Sequence, residues 1–578
     1  MVQAVRELRE RANKLRERRN AAVVLELDLT EGLLELPPGD PLSAVLSHRR
    51  PRLQHVLEGL QWARSDPSVA AVLVKVGGSR LTLARAQEVR DALVETRRFG
   101  KFTVAWAETF GESGVAGNVP YVLATACERV YLQPSGDVGL TGIGIEEPFV
   151  RGVLDKAGIV PQISQRHEYK SAANTLLERG YTEAHRQMSQ GLVNSLTQQV
   201  VAAVAAGRGL TAQQVRELID RAPLLAAEAL DADLVDGLAY RDEVYDEVRN
   251  RVGEHARIQY LTRYHRDLGR RVTRWVATRR RSDAIALIHA VGVIRLGRSA
   301  SNPLGSAAGA ETIGAAFRAA VKDDHVKAIV FRVDSPGGSY VGSDAIWRHV
   351  VLARRRGKPV VVSMGRVAAS GGYFVSMSAD AIVAQPATIT GSIGALGGKV
   401  VTAVLKGRLG VTSGSVAGGD HALMFSSNHP FRDGEWERMH AMLDRIYEDF
   451  TAKVAEGRGL DRSEVEDLAR GRVWTGADAK DRGLVDQLGG IERAIDLAKQ
   501  QAGIAPDVEV DLKVLPRLGP LQRLRPSESS EDATAAATRT VSAEGLRLAA
   551  WGQLAPLAAT LGLPAAGPLT LPGAWHVH

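Results

Sequence analysis

The chain has 578 residues, of which 24% are charged and 45% hydrophobic, as is typical of a soluble globular protein with core enough for several domains. The formal charge of +7 is small for this length, so nucleic acid is not expected as a partner. A single cysteine, Cys127, excludes an intrachain disulfide, and no Cys/His spacing of the zinc-binding kind occurs, so neither a metal nor another cofactor is expected.

Residues 1–20 are rich in arginine and glutamate, which predicts a basic amphipathic helix. The sequence shows neither the apolar run of a signal peptide nor the ~20 consecutive apolar residues of a transmembrane helix. We therefore expect a cytoplasmic protein or one that associates peripherally with a membrane.

Strand and helix patterns alternate after this helix. Residues 21–29 are β-rich, residues 51–65 have helical periodicity, and residues 69–76 form an apolar run typical of a buried parallel strand. An amphipathic helix is predicted at 83–97 and another strand at 101–107. Cys127 falls in a strand-like stretch at 121–132, where a small buried residue is favoured over a thiol nucleophile. The alternation predicts an α/β fold.

An internal repeat organises the whole chain. The run at 69–76 recurs at 326–333, and Gly100-Lys101 recurs as Gly357-Lys358, an offset of 257 (357 minus 100). Further glycine, proline and aspartate matches, in the same order, are Gln133-Pro134 with Gln385-Pro386, Gly139 and Gly142 with Gly391 and Gly394, and Leu234-Val235-Asp236 with Leu484-Val485-Asp486. This predicts a tandem duplication, divided into a first repeat at 21–258, a basic linker at 259–283, a second repeat at 284–510 and a C-terminal tail of low order at 511–578.

The second copy holds a serine in a setting that suits a nucleophile. Ser370 follows a β-like run at 359–364 and stands where a helical pattern begins. The N–H groups of a first helical turn can face a developing oxyanion, and the flanking glycines let a substrate backbone approach closely. The alternative interpretation is an ordinary serine helix cap. The first copy has Asn118 at the matching position, so the second copy is predicted to be the nucleophile half.

A glycine turn, Asp-Ser-Pro-Gly-Gly-Ser at 334–339, lies between a predicted strand and a predicted helix of the second copy. Its rigid backbone N–H groups suit an oxyanion hole, whose donors must be fixed before charge develops. A plain strand-to-helix turn with proline at the helix start is the alternative. A phosphate-binding P-loop is disfavoured because its Gly-Lys-Ser/Thr ending is missing.

A nucleophilic serine needs a base, and the first copy offers Lys170 within a polar cluster at 166–173. Desolvation or nearby positive charge can lower a lysine pKa toward neutrality. The second copy has Ala422 at the matching position, so the two copies have kept different members of a pair. Its own histidines, His349 and His421, stand in no recognisable triad context. A solvated surface lysine is the alternative reading of Lys170.

In combination, four motifs resemble the signal peptide peptidase A family of the long, duplicated bacterial type. They are Asp-Ser-Pro-Gly-Gly at 334–338, Ala-Ala-Ser-Gly-Gly-Tyr at 368–373, Thr-Gly-Ser-Ile-Gly at 390–394 and Tyr-Lys-Ser-Ala at 169–172. The resemblance covers residues 69–503, most of the chain. It implies an α/β fold that is a tandem duplication of a Clp/crotonase-like (ββα superhelix) domain, and the activity of a Ser–Lys peptidase.

The resemblance also implies a role for each site residue. Ser370 would be the nucleophile, Lys170 the general base and Ser392 the serine that orients the lysine, with the dyad shared between the two copies. The oxyanion hole would be formed by three backbone N–H groups, those of Gly337, Gly338 and Gly371. The substrates would be cleaved signal peptides and other short or unfolded apolar peptides. A homo-tetramer is implied, and peripheral membrane contact is left open.

Two departures from the family pattern stand out: Asn174-Thr175-Leu176 replaces a common Glu-Pro-Phe, and the N-terminal membrane anchor of some members is missing. Two other functions compete with the peptidase. One is a crotonase-type acyl-CoA enzyme on the same fold, and the other is a non-catalytic membrane-associated scaffold that uses the basic linker and the uncharged stretch at 548–575. The loss of the serine from one copy and of the lysine from the other favours the peptidase.

Overall fold

The computed structural model describes residues 21–38, 41–78, 80–112, 116–276, 283–302, 305–516, 569–570 and 576–577. The predicted N-terminal helix at 1–20 and most of the predicted tail at 511–578 lie outside these residues. The chain folds into two compact units. One is formed by Met1–Ile143 with Leu196–Arg280, and the other by Gly144–Ser195 with Arg281–Val577.

A parallel sheet of six strands forms the centre of the first unit. Its order from edge to edge is Arg257–Tyr260, Val23–Asp28, Val69–Lys75, Phe102–Ala107, Arg129–Leu132 and Gly237–Leu238. The central strands are buried along almost their whole length, as expected for a parallel sheet covered on both faces. Its longer helices are Leu53–Ser65, Leu83–Arg98, Asn118–Ala124, Ala212–Arg221, Arg241–Val252 and Leu261–Val276. The last of these lies within the predicted linker.

The second unit has a larger sheet of eight strands. Six of them follow the order Val473–Thr475, Ile389–Gly391, Val360–Ala369, Val326–Ser335, Ala284–Val291 and Asp511–Leu515, and Ala381–Ala384 and Gln487–Leu488 branch from the third. The pairs are parallel except the one between the first two strands. Its longer helices are Arg151–Ala157, Ala310–Lys322, Tyr340–Arg355, Asp433–Arg458, Arg462–Leu468 and Ile491–Gln501.

The two sheets share one strand order. When each strand is matched to its repeat partner, six strands of the second sheet follow the order of the six in the first. Equivalent side chains also make equivalent hydrogen bonds. The Tyr121 hydroxyl donates to the Leu234 carbonyl oxygen at 2.6 Å, and the Tyr373 hydroxyl donates to the Leu484 carbonyl oxygen at 3.0 Å. The predicted α/β tandem duplication is confirmed.

The segment Gly144–Ser195 belongs to the first repeat by sequence but packs within the second unit. Its strand Val160–Gln165 pairs antiparallel with Leu396–Val401 over six residue pairs. The compact units therefore divide the chain at other positions than the predicted repeat boundaries. Those boundaries refer to the duplication of the sequence, and they stay a prediction. This segment carries Lys170.

The stretch at 121–132 differs from its prediction. Asn118–Ala124 is a helix, and Cys127 lies in the turn before the strand Arg129–Leu132, so the strand-like interpretation is wrong for the first half. A short apolar run fits a buried helix as well as a buried strand, which explains the error. Cys127 is buried, and burial raises the pKa of its thiol to about 12, as expected for a core residue and not for a nucleophile.

Aromatic packing holds the short helix Gly371–Phe374, which directly follows Ser370. The Phe374 ring lies 4.9 Å from the Phe450 ring and 5.8 Å from the Tyr340 ring, centroid to centroid. Burial of one large apolar side chain contributes about 1.5–3 kcal/mol. A helix of four residues is unstable by itself, so packing against these rings keeps it in place.

Among the described helices, none has both the length and the hydropathy needed to cross a bilayer. No cluster of three or more His, Cys, Asp or Glu side chains suited to a metal ion occurs in the described parts of the chain.

Candidate active site

Lys170, Ser370 and Ser392 meet in a buried site of the second unit. The Lys170 Nζ lies 2.8 Å from Ser370 Oγ, 2.8 Å from the Ser392 carbonyl oxygen and 2.9 Å from Ser392 Oγ. The three residues are at most 1% exposed. The alternative of a solvated surface lysine is therefore wrong for Lys170.

Burial controls the protonation state of Lys170. Removing its ammonium form from water lowers the pKa from an ordinary 10.5 to about 7. The neutral amine has two N–H bonds and one lone pair. The carbonyl oxygen and the hydroxyl of Ser392 can accept hydrogen bonds from the two N–H groups. The lone pair of the amine is then left to accept the hydroxyl proton of Ser370. The arrangement suits removal of a proton from Ser370.

Ser370 joins a strand to a helix through an unusual backbone conformation. The strand Val360–Ala369 is longer than the predicted run because its end pairs with Ile389–Gly391. Ser370 itself has φ 54° and ψ −114°, and its side chain makes no capping hydrogen bond. The helix-cap interpretation is therefore wrong. Such strained backbone geometry costs on the order of 1–3 kcal/mol and persists where the surroundings fix it, commonly at functional sites.

Two glycines, Gly394 and Gly471, leave the space that Lys170 occupies. A Cβ on Gly471 would lie 2.4 Å from the Lys170 backbone nitrogen, and a Cβ on Gly394 would lie 3.2 Å from Lys170 Cδ. Gly471 has φ 85°, which favours glycine independently of the space. The sequence patterns included Gly394, as the repeat partner of Gly142 and the last residue of the Thr-Gly-Ser-Ile-Gly motif. They gave no signal for Gly471, because its contact joins residues 301 positions apart (471 minus 170).

The candidate oxyanion residues lie side by side. A Cβ on Gly371 would lie 3.0 Å from Gly337 Cα and 3.2 Å from the Gly338 nitrogen. The N–H of Gly337 donates to Ser335 Oγ at 3.1 Å and is thus already used within the protein. The three donors stay a prediction, and the hydrogen bond to Ser335 favours Gly338 and Gly371 over Gly337 as oxyanion donors.

The strand Gly337–Gly338 also accepts an extended chain alongside it. Leu569–Thr570 pairs with it in antiparallel orientation, while Ile294 pairs with Gly338 in parallel orientation. Backbone pairing of this kind is how a strand binds an extended peptide with little regard for side chains.

Buried charged side chains stabilise the strand that leads into the glycine turn at 334–339. The Asp334 side chain is fully buried and accepts a hydrogen bond from Arg366 Nε at 3.0 Å. Arg332 is also fully buried, and its Nη1 donates to Ser363 Oγ at 2.9 Å. Since Arg366 and Ser363 belong to the strand that leads to Ser370, these bonds tie the two strands of the site together. The sequence patterns included Asp334, as the first residue of the Asp-Ser-Pro-Gly-Gly motif, but did not single out Arg332, Ser363 or Arg366.

The other sequence candidates lie elsewhere. His349 Nε2 lies 3.5 Å from Arg318 Nη1, and burial together with nearby arginines lowers the pKa of this imidazole. His421 is exposed. In the first unit, Asn118 exchanges two hydrogen bonds with the backbone of Gly142, at 2.7 and 3.1 Å, so it stabilises a turn.

The chain is similar to known proteins over most of its length. The profile of Peptidase family S49 matches residues 95–254 and 352–505, one stretch in each copy. The chain is 32% identical to "Serine protease SPPA, chloroplastic" of Arabidopsis thaliana, over 80% of this chain and 68% of that protein. It is 30% identical to "Protease 4" of Salmonella typhi, over 77% of this chain and 71% of that protein. A solved structure of a mutant ClpP1 from Listeria monocytogenes matches 36% of this chain and 94% of its own at 14% identity, with a TM-score of 0.22.

The two family matches together cover more than half of the chain, and the two relatives match most of it. The resemblance inferred from the four motifs is confirmed, and so is the prediction of a serine peptidase. The chain belongs to peptidase family S49.

Proposed function

We propose that this protein is a serine endopeptidase whose catalytic dyad is Ser370 and Lys170. The observation that carries the proposal is the 2.8 Å contact between Lys170 Nζ and Ser370 Oγ in a fully buried site. Neutral Lys170 takes the hydroxyl proton as Ser370 attacks the peptide carbonyl, and the same proton then passes to the leaving amine. Water activated by Lys170 hydrolyses the acyl-enzyme and restores Ser370.

Ser392 positions the base in this mechanism. Its carbonyl oxygen and hydroxyl lie within 2.9 Å of the Lys170 Nζ and direct the lone pair of the neutral amine toward Ser370. The backbone N–H groups of Gly338 and Gly371 stabilise the tetrahedral oxyanion, since their close packing fixes both donors before the charge develops.

The substrates we propose are cleaved signal peptides and other short or unfolded apolar peptides. An extended segment can pair with the strand Gly337–Gly338 through its backbone, as Leu569–Thr570 does. A folded domain cannot present such a segment to a buried serine. The family resemblance supports this substrate class, and it also supports a homo-tetramer and a peripheral membrane contact. Sedimentation equilibrium would test whether the protein is a tetramer.

The test is cleavage of a fluorogenic apolar peptide by Ser370→Ala and Lys170→Met, with matched controls in buried residues of the same types. Ser378→Ala removes a buried hydroxyl that accepts from Trp347, and Lys399→Met removes a buried amine that donates to the Met424 carbonyl. We expect kcat of each dyad variant to fall at least about 10³-fold, as removal of one member of a catalytic unit does elsewhere. Both control variants should continue to hydrolyse the peptide.

Turnover in either dyad variant at the level of its control would contradict the proposal. Labelling with a fluorophosphonate provides an independent test, because the reagent should modify Ser370 in the wild type and leave the Ser370→Ala variant unlabelled. A crotonase-type enzyme would instead bind acyl-CoA and leave Ser370 unmodified.

A further inference from the structure

A cavity of roughly 950 Å³ opens in the first unit, between residues of the stretches 34–38 and 44–55 and the helix Leu261–Val276. It belongs to the compact unit that does not contain Ser370 and Lys170, so peptide hydrolysis assigns it no role. The lining is dominated by arginine and histidine side chains.

Four arginines line this cavity: Arg49, Arg50, Arg52 and Arg266. No acidic residue lines it among the residues that the structure describes. Arg49 and Arg266 are exposed, and neither forms an ion pair with a carboxylate within the described ranges. Positive charges gathered in a concave site attract anions. Guanidinium groups in particular match the oxygens of a phosphate.

Stacked rings form one wall of the cavity. The His265 ring lies 4.4 Å from the His55 ring and 4.7 Å from the Trp62 ring, and His265 Nε2 contacts Glu58 Oε2 at 2.7 Å. Burial, with help from Arg52 and His265, lowers the pKa of His55 to about 4, so this imidazole is neutral at physiological pH. His55 therefore adds no charge to this wall, and the arginines supply the positive charge.

The rim of the cavity is apolar on one side. Val45 and Leu46 lie in the chain between the lining residues Ala44 and Ser47, and their side chains are 67% and 70% exposed. The adjoining helix Leu261–Val276 has five arginines and one aspartate in its sequence. Exposed aliphatic side chains beside a basic helix and an arginine-lined cavity match an amphiphile whose anionic head adjoins apolar chains.

We propose that this cavity binds the phosphate-bearing headgroup of an anionic phospholipid, while Val45 and Leu46 enter the acyl-chain region of the bilayer. Nucleic acid has the phosphates but offers no apolar layer to these two side chains. The proposal does not depend on the catalytic dyad. Its consequence is that the first unit attaches the peptidase to an anionic membrane surface.

The full-length protein should bind phosphatidylcholine vesicles that contain phosphatidylglycerol and not vesicles of phosphatidylcholine alone. Arg49→Gln with Arg266→Gln should weaken this binding by roughly 30-fold, at about 1 kcal/mol per arginine at an anionic surface. The control, Arg216→Gln with Arg221→Gln, removes equal charge from exposed positions of the helix Ala212–Arg221 in the same unit and should change binding by less than about threefold. Unchanged peptidase activity in both variants would show that they are folded.

Equal loss of vesicle binding in the cavity variant and its control would overturn the proposal, because net charge and not the cavity would then explain it. Val45→Asn with Leu46→Asn tests the apolar rim. It should weaken vesicle binding and leave the binding of glycerol 1-phosphate unchanged. If the wild type binds glycerol 1-phosphate or inorganic phosphate but no vesicles, the site is one for a soluble phosphate ester and the lipid assignment is refuted.

Discussion

Raising the pH from 5 to 9 should convert Lys170 from an ammonium ion to a free base and activate the peptidase over a narrow range. With a pKa of about 7 for the buried amine, the neutral fraction is ~1% at pH 5, ~50% at pH 7 and ~99% at pH 9. We therefore expect kcat/KM to rise about 50-fold between pH 5 and 7 and only about twofold between pH 7 and 9. A lysine with the ordinary pKa of about 10.4 would be ~0.04% neutral at pH 7.

The assay is hydrolysis of a fluorogenic apolar peptide at constant ionic strength, since kcat/KM reports the titration of the free enzyme. Circular dichroism at each pH separates loss of activity from loss of structure. A rate that continues to rise tenfold per pH unit above pH 8 would refute the inference that burial has lowered the pKa. A rate that stays constant from pH 5 to 7 would refute Lys170 as the base.

Three further predictions concern the same site. Lys170→Met should raise the free energy of unfolding at pH 7 by up to about 4 kcal/mol, because the wild type loses this much stability when burial lowers the pKa of Lys170 to about 7. The stability lost with the hydrogen bonds of the lysine reduces this gain. Because burial lowers the folded-state pKa of Lys170, the unfolded wild type binds more protons between about pH 7 and 10, so its stability should rise with pH across that window; identical pH slopes in urea unfolding of wild type and variant would contradict this. Ser392→Ala should lower kcat by about 10–100-fold with KM nearly unchanged, as loss of an orienting group does, and an unchanged kcat would show that the Ser392 carbonyl oxygen suffices. Gly394→Ala places a methyl group 2.9 Å from Gly471 Cα and 3.2 Å from Lys170 Cδ, so it should lower both kcat and the unfolding midpoint, whereas wild-type kinetics with a wild-type midpoint would show that the Gly471 backbone and the lysine side chain both adjust freely.

The sequence was sufficient for the α/β class, the duplication and the peptidase family. Apolar runs of strand length predicted the buried strand Val69–Lys75 to within one residue and the start of Val360–Ala369, since burial on both faces demands continuous apolar sequence. The last five residues of the second strand were missed. Comparison of the copies made Ser370 and Lys170 candidates, because each copy lacks the residue that the other has at the matching position, and the family resemblance then gave both residues their predicted roles. The pattern failed at 121–132, where a run of small and apolar residues suits either a buried helix or a buried strand.

What the sequence by itself determined is the fold class, the duplication and the copy to which each candidate member of the dyad belongs. Only the tertiary structure decided how they meet, because the segment Gly144–Ser195 leaves its own repeat and pairs its strand Val160–Gln165 with Leu396–Val401. The same packing removes water from Lys170 and brings Gly471 against its backbone, and these are contacts between residues far apart in the chain. The low pKa of the base follows from burial, a property that a local motif cannot encode.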